Sequence, residues 1–498
     1  MVRTELFHSP LRLLEALLPE VPAAEALRDY EAWWRAEGTA ISAAVDRAGT
    51  PWVKLYDAQG RRVDEILLPA EYRAMLLQGY RRGAVWRAFE GSLLPFFTFG
   101  YLTSFFDMGL YCPYTVSMAT AAAVDKYAPQ PVRGRFLPPL LRRDDDVWQG
   151  ATWMTEIGGG SDLGATVETV AVPGENGVWR LSGDKYFSSN AGAELAVVAA
   201  RPQDAPAGVR GLALFLVPRQ RDDGTLNYTI RRLKDKIATR SVPTGEIELR
   251  ASEGYLLGQA SSGIYLILEV LNLSRVANSV GSIAVAQRAI SDALAFAEAR
   301  TAFGRRLIEL PLMRRQFERR MRDLGRGFAL AWEAALLADA TWRETGPGYS
   351  QAFHLFRIVT HLAKYWTAEF AVQTAKWAME VNGGLGTLAE FGVERWLREA
   401  MIADIWEGPP HRQILDGLEV LERKGAGRLL FEHLRPYVDE GVLAEMQARL
   451  EAHLALPQEE KEADADLIFA ALAEFTADAL AVRHGVDVMR SSERQGVI

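Results

Sequence analysis

The chain has 498 residues, 49% hydrophobic and 24% charged, the balance of a globular protein of about three domains. Its formal charge of −8 is carried by residues 431–498, with 14 acidic against 6 basic side chains, and the remainder is near neutral. An acidic end of this kind disfavours a nucleic-acid partner, whose phosphates are bound by Lys and Arg, and no apolar run is long enough to cross a bilayer.

Residues 1–150 read mainly as helices. Apolar spacing fits helices over 11–18 and 72–88, and another is expected to start near Cys112-Pro113 and to end at Pro129 and Pro131. Trp33, Trp34 and the run from Phe96 to Phe106 read as core or interface rather than binding site. Residues 151–260 change character. Short β-branched or alternating segments at 165–172, 178–182, 196–200, 212–217, 226–231 and 245–249 are separated by turn residues, which predicts a middle β-barrel. Helical periodicity returns over 264–300, 311–337, Gln351–Asn382 and 390–405, the helices of a C-terminal bundle spanning 261–430. Residues 431–498 form an extra helical segment with a linker at Pro457.

Cys112 is the one cysteine, so no internal disulfide framework exists, and the first residues carry no signal-peptide pattern. A cytoplasmic location with no membrane association is expected. The seven histidines are scattered, and neither HExxH nor CxxC is present, so no metal is expected.

Two stretches carry chemistry. A helical pattern runs into Ile405-Trp406-Glu407 and stops at Gly408-Pro409-Pro410. Glu407 is therefore read on the last helical turn, where desolvation and the negative end of the helix dipole both raise a carboxyl pKa. A carboxylate raised in this way serves as a general base near neutral pH. The second stretch, Thr155-Glu-Ile-Gly-Gly-Gly160-Ser161-Asp162, has three glycines that let backbone N–H groups approach a ligand, with hydroxyls alongside. It is neither a GxGxxG fingerprint nor a P-loop.

The Thr155 to Asp162 loop resembles the flavin-binding signature of the acyl-CoA dehydrogenases, and Gly183-Asp-Lys185-Tyr-Phe187-Ser-Ser189-Asn190 resembles that family's second flavin segment. The run from Arg232 to Arg240, Arg300-Thr-Ala-Phe303-Gly304, Asn382-Gly-Gly384-Leu-Gly386 and Trp406-Glu407-Gly408 follow in the family's order. Within the family the likeness is to the AidB-like branch, through Cys112-Pro113, Trp406-Glu407-Gly408 and the extra C-terminal helices.

The resemblance implies a mostly helical α+β fold: an N-terminal helical domain (1–150), a middle β-barrel (151–260), a C-terminal four-helix bundle (261–430) and the acidic extension. It implies FAD between barrel and bundle. Met154, Thr155, Gly160, Ser161, Phe187 and Ser189 would contact the flavin half, with Phe187 where the family usually has Trp. Arg300 and Phe303 would serve the FAD of a neighbouring subunit, Arg300 pairing with pyrophosphate, and Gly384 and His411 fall where the family contacts FAD. Glu407 would remove the proton beside an acyl-CoA thioester carbonyl, and electrons would pass to an electron-transfer flavoprotein. The alternative base position, ahead of an Arg on the first bundle helix, holds Ser274, which is no strong base. The chain departs from the family pattern at Pro409, His411, Pro311 and Glu380. A homotetramer or homodimer is expected. The runner-up is an AidB-like, DNA-associated flavoprotein with weak turnover. A nitroalkane-oxidase-like enzyme is disfavoured, since that subgroup resembles this fold but carries Asp as its base.

Overall fold

The computed structural model describes residues 4–346 and 348–486. The first part is built from α1 (Pro10–Leu17), α2 (Ala24–Trp33), α3 (Thr39–Ala48), α4 (Ala70–Arg82), α5 (Leu94–Phe106), α6 (Met108–Tyr127) and α7 (Gln130–Leu140). Helix α5 is apolar on every side, so it runs through the interior rather than over a surface. Phe96, Phe97, Phe99, Tyr101, Phe105, Phe106 and Trp34 are all buried, as a core reading of them requires.

Several elements here differ from the sequence reading. A hairpin of β1 (Trp52–Tyr56) and β2 (Arg62–Leu67) interrupts the helices. Helix α4 stops at Arg82 instead of running on to residue 88, because Gly83 takes a φ of 107° and closes it. Helix α6 begins at Met108, not beside Cys112. Asp107 caps it, accepting from the Leu110 amide at 2.9 Å, and Pro113 is left inside the helix. Pro129 and Pro131 end α6 but also open α7, where an early proline costs no hydrogen bond.

The middle part contains β3 (Gly150–Trp153), the one-turn helix α8 (Leu163–Thr166), β4 (Val170–Pro173), β5 (Val178–Ser189), β6 (Leu195–Pro202), β7 (Ala213–Pro218), β8 (Thr229–Leu233) and β9 (Thr244–Leu257). The strand order is β3-β6-β4-β5-β9-β7, and β7 pairs back onto β6, which closes a barrel; β8 lies against β9. The expected barrel is therefore present. The segment read as a strand from residue 165 starts instead within α8, since the Asp162 side chain accepts from the Ala165 amide, and the strand itself begins at Val170.

The bundle is α9 (Gly263–Ala299), α10 (Pro311–Thr341), α11 (Gln351–Asn382) and α12 (Val393–Ile405), with a two-residue-strand hairpin, β10 (Thr301–Ala302) and β11 (Arg305–Arg306), after α9. Beyond it lie α13 (Pro410–Lys424), α14 (Ala426–Leu434), α15 (Glu440–Leu454), α16 (Gln458–Ala463) and α17 (Ala465–Arg483). Pro457 is the residue before α16. The last helices are tied back to α10 through buried Glu333, which has His433 Nε2 and His484 Nε2 each at 2.7 Å and Arg483 Nε at 3.0 Å. Helix α6 joins bundle to barrel. Its Ser117 hydroxyl accepts from the Gly150 amide at 2.9 Å, and its Thr120 hydroxyl donates to the Ala151 carbonyl at 2.9 Å. These bonds fix β3, and with it the start of the glycine loop, relative to α6. Among the described residues no helix is long and apolar enough to cross a membrane.

Candidate active site

The glycine loop leaves the end of β3, and its shape is set by a buried carboxylate. Glu156 accepts from the amides of Glu168 (2.8 Å) and Thr169 (3.1 Å), from the Thr169 hydroxyl (2.5 Å) and from Lys185 Nζ (2.6 Å). Burial pulls the Lys185 pKa down, against the pull of Glu156. A buried pair of this kind survives only when every hydrogen-bonding position is filled, and here Glu156 is saturated. The sequence reading used both residues as motif letters and missed that they form one strut. The loop is then laid against β5, where the Tyr186 amide donates to the Thr155 carbonyl at 3.0 Å. At Gly160 a Cβ would sit 2.5 Å from Thr155 Oγ1, so any other residue there would have to turn the Thr155 side chain.

Strand β5 delivers the next pair. Its register against β9 slips between Lys185 and Ser188, and such an irregularity re-aims the side chains it contains. Phe187, within it, is 55% exposed, a large apolar side chain facing out of the barrel. Lys234 Nζ lies over the Tyr186 ring at 3.2 Å and the Phe187 ring at 4.7 Å. Ser189 is held by its carbonyl, which accepts from Trp153 Nε1 at 3.0 Å. The hydroxyls of Thr155 and Ser161 take part in no hydrogen bond among the described residues, so both are free to meet a ligand.

Glu407 is not on the last turn of α12. The helix ends at Ile405, Trp406 is already extended, and Glu407 takes a φ of 62° with Gly408 at 104°. A non-glycine residue in that region is strained and persists only where its surroundings over-determine it. They do so here. Arg275 Nε of α9 donates to the Glu407 carbonyl at 3.0 Å, and Gln413 Nε2 of α13 donates to the Glu407 and Gly408 carbonyls at 2.9 Å each. Gln413 is oriented in turn by buried His361, whose Nδ1 lies 3.0 Å from Gln413 Oε1. Arg275 is also paired with Asp416 at 3.1 Å. All the donors act on the backbone, and the carboxylate itself takes no hydrogen bond within the described chain. Burial raises its pKa to about 7, while Arg275 and Lys364 oppose the rise. Desolvation thus raises the group as expected from sequence, although the residue lies two positions past the end of α12 rather than on its last turn.

A third element meets these two. The half-buried thiol of Cys112 on α6 is pushed up to about 12 by burial; Lys236 and Ser189 pull it down, and Glu407 pushes it further up. The groups that act on Cys112 thus come from both the barrel, Lys236 and Ser189, and the bundle, Glu407. The sequence reading used it only as a branch mark, and no local signal could have placed it there.

The remaining candidate residues lie apart. Met154 is buried behind the loop. Arg300 caps the exposed end of α9, its carbonyl accepting from the Leu307 amide at 2.9 Å, and it forms no ion pair among the described residues. Phe303 is 94% exposed at a φ of 53°. Gly384 sits in an exposed turn after α11, and His411 is exposed on the first turn of α13. Thr155, Gly160 and Ser161 thus lie on the loop after β3 and Phe187 and Ser189 on β5, which the Tyr186 amide ties to the Thr155 carbonyl, whereas Arg300, Phe303, Gly384 and His411 are exposed. Among the described residues no cluster of metal-ligating side chains exists.

A carboxylate pushed up to about 7 by burial, with no hydrogen bond of its own among the described residues, suits proton abstraction. Residues 1–147 match the family profile for the adaptive response protein AidB N-terminal domain, 151–252 that for the acyl-CoA dehydrogenase middle domain, and 261–422 that for the acyl-CoA dehydrogenase C-terminal domain. The Escherichia coli protein named putative acyl-CoA dehydrogenase AidB is 32% identical over 78% of this chain and 72% of its own length. The chain belongs to the acyl-CoA dehydrogenase family, in its AidB-like branch. Two solved members of this acyl-CoA dehydrogenase fold superpose closely. The apo form of Bd2924 has a TM-score of 0.87 at 29% identity, covering 97% of this chain and 98% of that one. Caenorhabditis elegans ACDH-11 in complex with C11-CoA has a TM-score of 0.84 at 26% identity, covering 97% and 88%. Acyl-CoA dehydrogenases are FAD-binding proteins.

Proposed function

We propose that the protein is an FAD-dependent acyl-CoA dehydrogenase that introduces a double bond between C2 and C3 of an acyl-CoA thioester, with Glu407 as the base. The observation that carries this reading is the setting of Glu407: its backbone is clamped by Arg275 and Gln413, while its carboxylate is unbonded and its pKa is about 7. Such a group is ionised in about half of the molecules at neutral pH, yet basic enough to take the C2 proton. Holding a base against a bound thioester supplies roughly 7–11 kcal/mol of the barrier through positioning alone.

The rim fits FAD, on the two unbonded hydroxyls, the Gly160 space beside Thr155 and the outward Phe187. Met154, Thr155, Gly160, Ser161, Phe187 and Ser189 would hold its flavin half. Bound there, FAD would supply the acceptor for the hydride leaving C3. Arg300 and Phe303, outward on one chain, would reach the FAD of a second copy, and Gly384 and His411 would complete the dinucleotide contacts. An electron-transfer flavoprotein is the expected electron acceptor.

The test is Glu407→Gln. The variant is expected to remain yellow with FAD and to lose flavin bleaching by acyl-CoAs under anaerobic conditions; normal bleaching would remove Glu407 from the role. The runner-up, a DNA-associated AidB-like flavoprotein, draws on the AidB N-terminal match and is opposed by the acidic segment 431–498. A gel shift persisting at physiological ionic strength would favour it.

A further inference from the structure

A cleft opens between the start of β1 and the loop that joins β8 to β9. It encloses about 850 Å³ of empty volume, mouth included, with residues 50–53 on one wall and residues 233–236, 240 and 242–244 on the other. None of the residues assigned to FAD or to the base lines it. Both walls are fixed. The hairpin is pinned to the barrel at buried Asp64, whose Oδ2 accepts from the Ile230 amide and whose carbonyl accepts from Arg219 Nη2, each at 2.7 Å. The loop turns through Thr239, which takes a φ of 49°. A β-branched residue in that region persists only where its neighbours hold it. Here its amide donates to Glu399 Oε1 of α12 at 3.1 Å, and its carbonyl accepts from Lys236 Nζ at 2.8 Å.

The cleft holds more positive charge than its surroundings neutralise. Lys234 is paired with Glu246 at 2.8 Å. Lys236 donates only to neutral oxygens: the Thr239 carbonyl, the Val242 carbonyl at 3.1 Å and Thr244 Oγ1 at 3.0 Å. Burial pulls its pKa down to about 8, while Cys112 and Glu399 oppose the fall. Arg240 forms no ion pair among the described residues, and its Nε is buried without a hydrogen-bond partner. Asp46, on which its charge acts, is already held by Arg398 at 2.7 Å. The one acid of the lining, Asp235, is exposed. A desolvated cation with no counter-charge is costly, and two of them in one cleft call for an anion. On the other wall Trp52 is 60% exposed, an indole left open to a ring from outside.

We infer that this cleft binds a phosphate monoester carrying a planar ring, with Arg240 on the phosphate, the charge of Lys236 behind it and Trp52 against the ring. A phosphate monoester bears about −1.5 to −2 at pH 7, which matches the two cations that lack a counter-charge. Arg suits it because the planar fork meets two phosphate oxygens at once. Lys236 has its three protons engaged, so it contributes through its charge rather than through a hydrogen bond. The inference stands on the cleft alone and does not rest on the dehydrogenase reading.

Calorimetric titration of the holoenzyme with phenyl phosphate, inorganic phosphate and benzoate separates the three features. Phenyl phosphate is expected to bind once per chain. It should bind at least tenfold more tightly than inorganic phosphate, which lacks the ring, and than benzoate, which carries a single charge. Arg240→Gln is expected to weaken phenyl phosphate and inorganic phosphate at least tenfold each. Trp52→Ala, a change at an exposed side chain, is expected to remove the advantage of phenyl phosphate over inorganic phosphate. Saturating CoA is expected to leave phenyl phosphate binding unchanged. No binding of phenyl phosphate at millimolar concentration, equal binding of the three probes, or binding that CoA abolishes overturns the inference. So do affinities unchanged in both variants. If Arg240→Gln fails to fold, Trp52→Ala decides alone, and a retained preference for phenyl phosphate overturns the assignment.

Discussion

Arg275 Nε donates to the backbone carbonyl of Glu407 at 3.0 Å, across 132 residues of sequence, and holds a glutamate in the left-handed region of backbone space. Gln413 completes the clamp from α13. The carboxylate is thus aimed by groups that never touch it. Replacing Gln413 by Leu, close in size, removes one donor from two carbonyls and leaves His361 without its partner. A base displaced by about 1 Å can lose roughly 100-fold in rate. Gln413→Leu is expected to retain FAD and to lower kcat about 10- to 100-fold, with a stability loss of about 1–3 kcal/mol from the unsatisfied groups. Stopped-flow bleaching and a denaturant titration measure the two effects; an unchanged kcat would show that the clamp does not aim the base.

The pKa of Glu407, about 7 against an ordinary 4.5, fixes the direction of two pH effects. The base works ionised, so kcat/KM is expected to climb as pH rises through about 7 and then to level off. For stability the folded chain holds this proton over a range in which the unfolded chain has released it, roughly pH 4.5 to 7. Stability from this group therefore falls as pH rises across that window and is constant above it. Glu399, also pushed up to about 7 by burial, adds to the trend, while His361, pulled down to about 3 by burial, opposes it below its ordinary 6.5. The difference between wild type and Glu407→Gln isolates the term. The variant's Tm is expected to gain on the wild type between pH 5 and pH 8, and a constant gap would contradict the raised pKa.

Gly160 separates flavin binding from folding. A Cβ at this position would meet Thr155 Oγ1 at 2.5 Å, and the easiest relief is rotation of the Thr155 side chain. The hydroxyl would then no longer face the rim. Gly160→Ala is expected to keep the wild-type circular dichroism and to weaken FAD binding about tenfold, the value of one well-placed hydrogen bond at about 1.4 kcal/mol. Fluorescence titration of the apoprotein with FAD reads this directly. Undiminished affinity would mean that Thr155 does not serve the cofactor.

Much of this was legible in the chain because periodicity is a local property. The longest helices declared themselves by repeat alone, and α11 has the bounds the pattern gave, Gln351–Asn382. The barrel showed through its turns. The hairpin β1–β2 did not, since Trp52 and Tyr56 point outward and no buried face alternates with a polar one. Nor did the backbone of Glu407. The prolines restrict only the residues directly before them, Gly408 and Pro409, and the reversal at Glu407 is imposed by Arg275 and Gln413. The strut Glu156–Lys185 and the barrel and bundle groups that act on Cys112 needed the same knowledge of distant partners.

Phe303 presents the last question. It is 94% exposed, on a two-residue-strand hairpin with a φ of 53°, beside an Arg300 with no ion-pair partner among the described residues. A phenylalanine held fully in water on a strained backbone stabilises nothing within its own chain. Burying a side chain of this size is worth about 1.5–3 kcal/mol, which a second copy could realise. Phe303→Ser is therefore expected to leave the melting of the isolated chain unchanged. It should weaken self-association by roughly 10- to 100-fold for a loss of that size. If Arg300 and Phe303 reach the FAD of a second copy, the same variant releases flavin on dilution, in step with dissociation. Sedimentation velocity with absorbance at the flavin band follows both quantities in one experiment. An oligomer that keeps its mass and its flavin after the substitution would show that this hairpin takes no part in assembly.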